Sequence, residues 1–135
     1  MAPIWRNRDL EQVAGGPLEA RHLTEDGILK LVETYPAETE YVEYKAKGLF
    51  LSFNGSKDWT PAQERAKDVC APANGRGAVI VIGVQADATA AAADRLKPFL
   101  PSDGDRDQLM SDYKDQVRVH ATPIPLYDMF AVDWD

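Results

Sequence analysis

The run AVIVIGV at residues 78–84 constrains the fold of this chain more than any other feature. Its apolar residues are continuous and mostly β-branched, whereas a strand with one face in water alternates apolar and polar residues. The run therefore predicts a central strand that is covered on both faces. The segment NGRG, residues 74–77, directly precedes it and predicts the end of a helix, with Asn74 or Gly75 in the left-handed conformation.

Other segments predict helices and further strands around this central strand. Thr24 followed by Glu25 and Asp26 is typical of a helix start, and Pro36 predicts where that helix ends. The sequence also predicts helices at 60–73, 88–97 and 105–117, and strands at 41–46, 49–53 and 126–134. This order predicts an α/β or α+β domain in which helices flank a mixed sheet.

The length, the single cysteine and the apolar runs narrow the class of protein. With 135 residues, the chain is long enough for one domain with a substantial core. Cys70, the only cysteine, excludes an internal disulfide and a multi-cysteine zinc site, which favours a reducing, cytoplasmic location. It falls on the apolar face of the helix predicted at 60–73, so core packing is favoured over a reactive thiol. No run reaches the roughly 18 apolar residues of a membrane span, so no membrane partner is expected.

The net charge of −7 argues against nonspecific binding of nucleic acid by the whole surface. The segment 41–78 is the exception, with six basic and four acidic residues, whereas 101–135 carries three basic and eight acidic residues. A nucleic-acid-binding surface is therefore expected within 41–78. The acidic last third predicts either a solvated face or a surface for a basic protein partner.

The segment ETEYVEYKAKG, residues 38–48, places acids beside lysines in a strand-like run. Strand alternation puts Glu43, Lys45 and Lys47 on one side, with Glu43 and Lys45 about 7 Å apart along the backbone. This pattern indicates either a surface ion pair, worth less than about 1 kcal/mol, or a charged working surface. The residues alone leave both interpretations open.

Two blocks of the sequence resemble the Schlafen-type AlbA-like domain family. The first, ETEYVEYK at 38–45, is similar to the motif E-x-x-x-x-E-[FY]-K. The second, KDVCAPANGRGAVIVIGV at 67–84, is similar to a helix ending in A-F-A-N, a glycine-rich turn and an apolar strand ending in G-V. Pro72 stands where the family has an aromatic residue, and QADATAAAAD replaces the D-x-x-G-x-x-x-G that usually follows.

The resemblance is clearest over residues 23–87 and implies one domain over residues 1–135. Its core would be 23–135, with 1–22 as an N-terminal extension, and the chain could be the first domain of a longer protein. By analogy with the family, a homodimer is also implied. The expected fold is a mixed sheet flanked by helices, with a buried central strand near 78–84.

The resemblance implies binding to DNA or RNA, and the Schlafen branch includes metal-dependent endoribonucleases that use three carboxylates. The matching acids are Glu38, Glu43 and Asp87, which would hold Mg²⁺ or Mn²⁺. Lys45 matches the motif lysine, which would stabilise charge on the phosphate during cleavage. The residues expected to contact nucleic acid are Lys45, Lys47, Lys57, Asn74 and Arg76.

Two alternatives stay open, and one function is rejected. A regulatory or protein-interaction module would keep the fold without the chemistry. A nuclease of the D…E-x-K type would use Asp26 with Glu43 and Lys45. ATP hydrolysis is rejected because the chain has no G-x-x-x-x-G-K-[ST] motif, so no ATP site is expected.

Overall fold

The structure combines helices with a short parallel sheet. The computed structural model describes residues 5–48, 67–70, 72, 75–121 and 126–133. Its elements are α1 (Arg8–Ala14), α2 (Glu25–Thr34), β1 (Val42–Lys45), β2 (Val79–Ile82), α3 (Ala92–Arg95), a 3₁₀ turn (Pro101–Asp103) and α4 (Arg106–His120). This content confirms the mixed α+β class at the coarse level. The strand predicted at 49–53 lies outside the described residues.

The strands β1 and β2 pair in parallel, with Val42 opposite Val79 and Lys45 opposite Ile82. In β1, buried and half-buried positions alternate, which confirms the strand periodicity predicted for this segment. In β2, all four residues are half-buried, so the predicted cover on both faces is incomplete. All four residues also line an open groove, which is described below.

The helix α1 and the loop after it contribute to the same core as β1. Asn7 caps α1, because its side chain accepts a hydrogen bond from the Leu10 amide at 3.0 Å. Leu10 and Ala14 are buried in this core together with Leu31, Val32, Val42, Tyr44 and Val84. The segment treated as an N-terminal extension in the sequence therefore packs against the rest of the domain.

The helix α2 begins and ends where the sequence predicts. The Thr24 hydroxyl accepts a hydrogen bond from the Gly27 amide at 3.1 Å, and the helix ends at Thr34, two residues before Pro36. Gly27 lies against α1, since a Cβ atom there would be 2.7 Å from the Ala14 carbonyl oxygen. The missing side chain allows the two helices to approach closely.

The C-terminal elements match the predictions in part. The helix predicted at 105–117 is confirmed as α4, capped by Asp105, and it continues to His120. The helix predicted at 88–97 is reduced to α3, because Thr89 is held in a turn by Asp87 and Ala91 is extended. The predicted strand at 126–134 is wrong for 126–133, which has no regular secondary structure.

Apolar side chains of the C-terminal segment nevertheless contribute to packing. Tyr127 and Met129 pack on a second core cluster, which contains Tyr113 and Val117 of α4. Cys70 is half-buried against the same cluster, as the helical pattern predicts. No helix in the described part of the chain is long and apolar enough to cross a membrane.

A buried arginine ties α3 to β1. Arg95 is 2% exposed, and its guanidinium donates to the carbonyls of Pro36 at 2.7 Å and Gln85 at 2.9 Å. The same guanidinium lies 5.2 Å from the centre of the Tyr44 ring. The buried charge is thus surrounded by carbonyl oxygens and an aromatic face, which reduces its desolvation cost.

The Tyr44 hydroxyl gives the fold a specific dependence on alkaline pH. It donates to the Tyr35 carbonyl at 2.7 Å, and burial raises its pKa to about 12, although Arg95 opposes this rise. Because the folded-state pKa exceeds the unfolded value of 10.0, the protonated phenol stabilises the fold below pH 10. This contribution is lost as the pH rises from about 10 to about 12.

We therefore expect the free energy of unfolding of the wild type to fall more steeply above pH 10 than that of Tyr44→Phe. Near neutral pH the variant should be about 1 kcal/mol less stable, because it lacks the hydroxyl hydrogen bond. As the pH rises from about 10 to about 12, the wild type should lose this advantage and become the less stable of the two, with a total change of at most roughly 3 kcal/mol, since one pKa unit corresponds to about 1.4 kcal/mol. Urea unfolding at several pH values measures this, and parallel pH curves would contradict it.

Candidate functional site

The two segments that carry the family resemblance meet at the C-terminal ends of β1 and β2. The Lys45 carbonyl accepts hydrogen bonds from the Gly83 amide at 2.7 Å and from the Val84 amide at 3.2 Å. Gly83 has a φ of 110°, and a Cβ atom there would be 3.2 Å from the Lys97 carbonyl oxygen. Position 83 therefore favours glycine strongly, and the G-V of the second block fixes the backbone of the motif lysine.

The side chain of Lys45 lies among carboxylates. Its Nζ is 3.0 Å from Glu43 Oε1 and 3.7 Å from Asp68 Oδ1, and all three side chains are at least two-thirds shielded from solvent. Burial lowers the pKa of Lys45, but the hydrogen bond to Glu43 and the charges of Asp68, Glu43 and Glu38 outweigh it. The pKa of Lys45 is therefore raised, and the ammonium stays charged.

Glu38 joins this group through the backbone of β1. Its Oε1 atom accepts a hydrogen bond from the Tyr44 amide at 3.2 Å, and its charge contributes to the raised pKa of Lys45. The structure thus brings together Glu38, Glu43 and Lys45, which the family motif groups. Asp68 is an acidic neighbour that sequence reasoning missed, although it lies inside the second motif block.

The third expected carboxylate, Asp87, has different partners. It is exposed and accepts hydrogen bonds from the Thr89 hydroxyl at 2.7 Å and the Thr89 amide at 3.1 Å. These bonds lower the pKa of Asp87. Across the described residues, which include Glu38, Glu43 and Asp87, no group of three or more His, Cys, Asp or Glu residues could hold a metal ion.

The basic residues expected to contact nucleic acid lie in different surroundings. Lys47 Nζ is 2.9 Å from Asp103 Oδ2 and 3.3 Å from the Pro98 carbonyl oxygen, so its charge is balanced. Arg76 lies just before β2, at the sheet end opposite to Lys45, and is exposed. Lys57 and Asn74 lie outside the described residues.

Two aromatic residues, Trp5 and Tyr41, shape the turn that presents Arg76. The Trp5 indole N–H donates to the Arg76 carbonyl at 2.8 Å, and its ring centre is 6.2 Å from that of Tyr41. A hydrogen bond with the Tyr41 side chain and the charge of Glu40 raise the pKa of Arg76. Gly77 has a φ of 85°, and a Cβ atom there would collide with the Trp5 indole. Sequence reasoning singled out Arg76 but missed both aromatic partners.

The acid proposed for the D…E-x-K alternative lies on an exposed helix face. Asp26 Oδ2 is 3.0 Å from Lys30 Nζ, one turn further along α2. The side chain of Asp26 is 69% exposed. Asp26 is not among the charges that raise the pKa of Lys45. The structure therefore gives this alternative no geometric support.

We expect Glu43→Gln and Asp68→Asn each to lower the pKa of Lys45. Each change removes a negative charge that offsets the burial of the ammonium, so deprotonation becomes easier. An NMR pH titration of the Lys45 side chain measures the effect. Glu33→Gln on the exposed surface of α2 is the matched control and should leave this pKa unchanged. An unchanged pKa in both variants would contradict the arrangement around Lys45.

No protein-family model, no curated protein and no solved structure matches the chain significantly. The resemblance in residues 38–45 and 67–84 therefore rests on the residues of the two motifs. The strands β1 and β2 lie within those two segments and pair in parallel.

Proposed function

We propose that this chain is a nucleic-acid-binding domain of the Schlafen AlbA-like type. The observation that supports the proposal most is that β1 and β2, from the two motif blocks, pair in parallel. The Lys45 carbonyl then receives the amides of Gly83 and Val84, so the end of one motif contacts the end of the other. If the two blocks resembled the family only by chance, nothing would require the end of β1 to lie beside the end of β2.

The electrostatics of the site indicate how nucleic acid would bind. The Lys45 ammonium stays charged because its pKa is raised, and it forms ion pairs with both Glu43 and Asp68. A phosphate must compete with these carboxylates, since a single ammonium has a limited number of donors. Binding should therefore be modest in strength and sensitive to salt, because the phosphates release counterions when they meet basic side chains.

We expect RNA or DNA to bind this chain at about 50 mM salt and to bind several-fold more weakly at about 200 mM. Lys45→Gln should weaken binding about three- to tenfold, because it removes one phosphate contact. It should also reduce the slope of the log binding constant against the log salt concentration by about one. Fluorescence anisotropy with labelled transfer RNA and with a DNA duplex measures both effects. Lys30→Gln on α2 is the matched control, since it also removes an ion-paired lysine.

The absence of binding to any nucleic acid at low salt would contradict the proposal. The alternative is then a regulatory or protein-interaction module that uses the acidic last third. Several acidic residues of that third are exposed, including Asp107 and Asp133, which form ion pairs with Arg106. Association with a basic protein partner would be the corresponding measurement.

A metal-dependent endoribonuclease is the second candidate, and the position of Glu38 and Glu43 around Lys45 favours it. Carboxylate oxygens suit Mg²⁺ or Mn²⁺, which would supply an activated water and charge stabilisation at the phosphate. Asp87 accepts a hydrogen bond from Thr89 in a separate turn, so the identity of the third acid is the point that an experiment must decide.

If the chain is this nuclease, structured RNA incubated with Mn²⁺ should be cut into discrete fragments. Glu43→Gln should abolish cleavage, while Glu33→Gln should leave it unchanged. Asp68→Asn and Asp87→Asn then identify the third acid, because only the acid that serves the reaction should matter. If the wild type leaves the RNA intact, the nuclease hypothesis is contradicted and only nucleic-acid binding remains as the proposed function.

A further inference from the structure

The half-buried strand β2 lines a groove with a volume of about 780 Å³. The walls come from β2, the segment between α1 and α2, α4 and the C-terminal segment 126–132. This volume lies within the range of ligand-binding clefts, roughly 300–1,000 Å³. The groove therefore has room for a ligand of several ring systems.

The groove lining has more basic than acidic side chains, but two of the basic ones are ion-paired outside the lining, Lys47 with Asp103 and Arg106 with Asp107 and Asp133. The described lining contains four basic residues, Arg21, Lys47, Arg76 and Arg106, and two acidic residues, Glu19 and Asp128. The net charge of the chain is −7. Arg21 and Arg76 are exposed, and no carboxylate of the described residues forms an ion pair with either. Arg21 and Arg76 are therefore the groups of the groove that an anionic ligand would contact.

Aromatic side chains accompany these basic groups. The described lining includes Trp5 and Phe130, which are half-buried, while its other aromatic residues, Phe99, Tyr113 and Tyr127, belong to or pack on the second core cluster. Trp5 is held by its hydrogen bond to the backbone carbonyl of Arg76, so an aromatic residue and a basic residue are neighbours at one end. A basic groove with aromatic side chains is the arrangement that binds single-stranded nucleic acid, because unpaired bases stack on the rings while phosphates contact the basic groups.

We propose that this groove binds a single-stranded segment of nucleic acid, with phosphates at Arg21 and Arg76 and bases against the aromatic lining. The inference rests on the proposed function and adds the strand state of the ligand and a second contact face, because the groove lining does not include Lys45. A duplex keeps its bases stacked inside, so it cannot offer them to the rings. The groove should therefore discriminate between single strands and duplexes.

The test uses the full chain and fluorescence anisotropy with three labelled probes of about ten nucleotides. These are a single-stranded RNA, the duplex of the same sequence, and an abasic strand with the same number of phosphates. We expect the single strand to bind at least tenfold more tightly than either of the other probes. Arg21→Glu and Arg76→Glu should each weaken single-strand binding at least fivefold.

Arg118→Glu is the matched control, because Arg118 is also exposed and lies outside the described groove lining. It should bind the single strand like the wild type, and circular dichroism should confirm that all three variants fold. Equal affinity for duplex and single strand, or Arg21→Glu and Arg76→Glu variants that bind like the control, would overturn the inference and leave the proposed function intact. Failure of every probe and of transfer RNA to bind would overturn both.

Discussion

Parallel pairing of β1 with β2 joins two segments that are far apart in the sequence. Without it, Gly83 and Val84 would not reach the Lys45 carbonyl, and Arg76 would not sit at the opposite end of the same sheet. Parallel strands need a long crossover connection, which the residues between them provide. Gly77 before β2 and Gly83 after it allow this geometry. Each adopts a positive φ at a position where a Cβ atom would approach neighbouring atoms too closely. The site therefore depends on backbone hydrogen bonds before it depends on any charged side chain.

Local signals account for the parts of the fold that could be predicted. The helices α2 and α4 have a capping side chain at the N-terminus, so their starts are visible in a short window of sequence. The strands β1 and β2 are visible from side-chain periodicity and from the apolar run. Helix α1 was missed although Asn7 and Gly15 are typical of its two ends. The strand expected at 126–134 was wrong, because apolar residues can pack on a core without joining a sheet.

The candidate site was predictable only where its residues are close in the sequence. Alternation along one strand places Glu43 and Lys45 on the same face, and their ion pair confirms it. The approach of Asp68 to Lys45 and of Trp5 to Arg76 depends on how distant elements pack, which no local pattern encodes. Asp87 differs from these residues, because its partner Thr89 is only two positions away and holds it in a short local turn. Sequence motifs thus identified part of the site, and tertiary structure supplied its neighbours.

The hydrogen bond from Trp5 to Arg76 joins residues that are 71 positions apart. Contacts between α1 and α2 close a much shorter loop, so this helical pair can form early during folding. The arginine-bearing turn cannot be fixed until β2 has been synthesised and has paired with β1. During translation, the emerging N-terminal half therefore carries Trp5 without the carbonyl that later holds it, and the groove is among the last features to form.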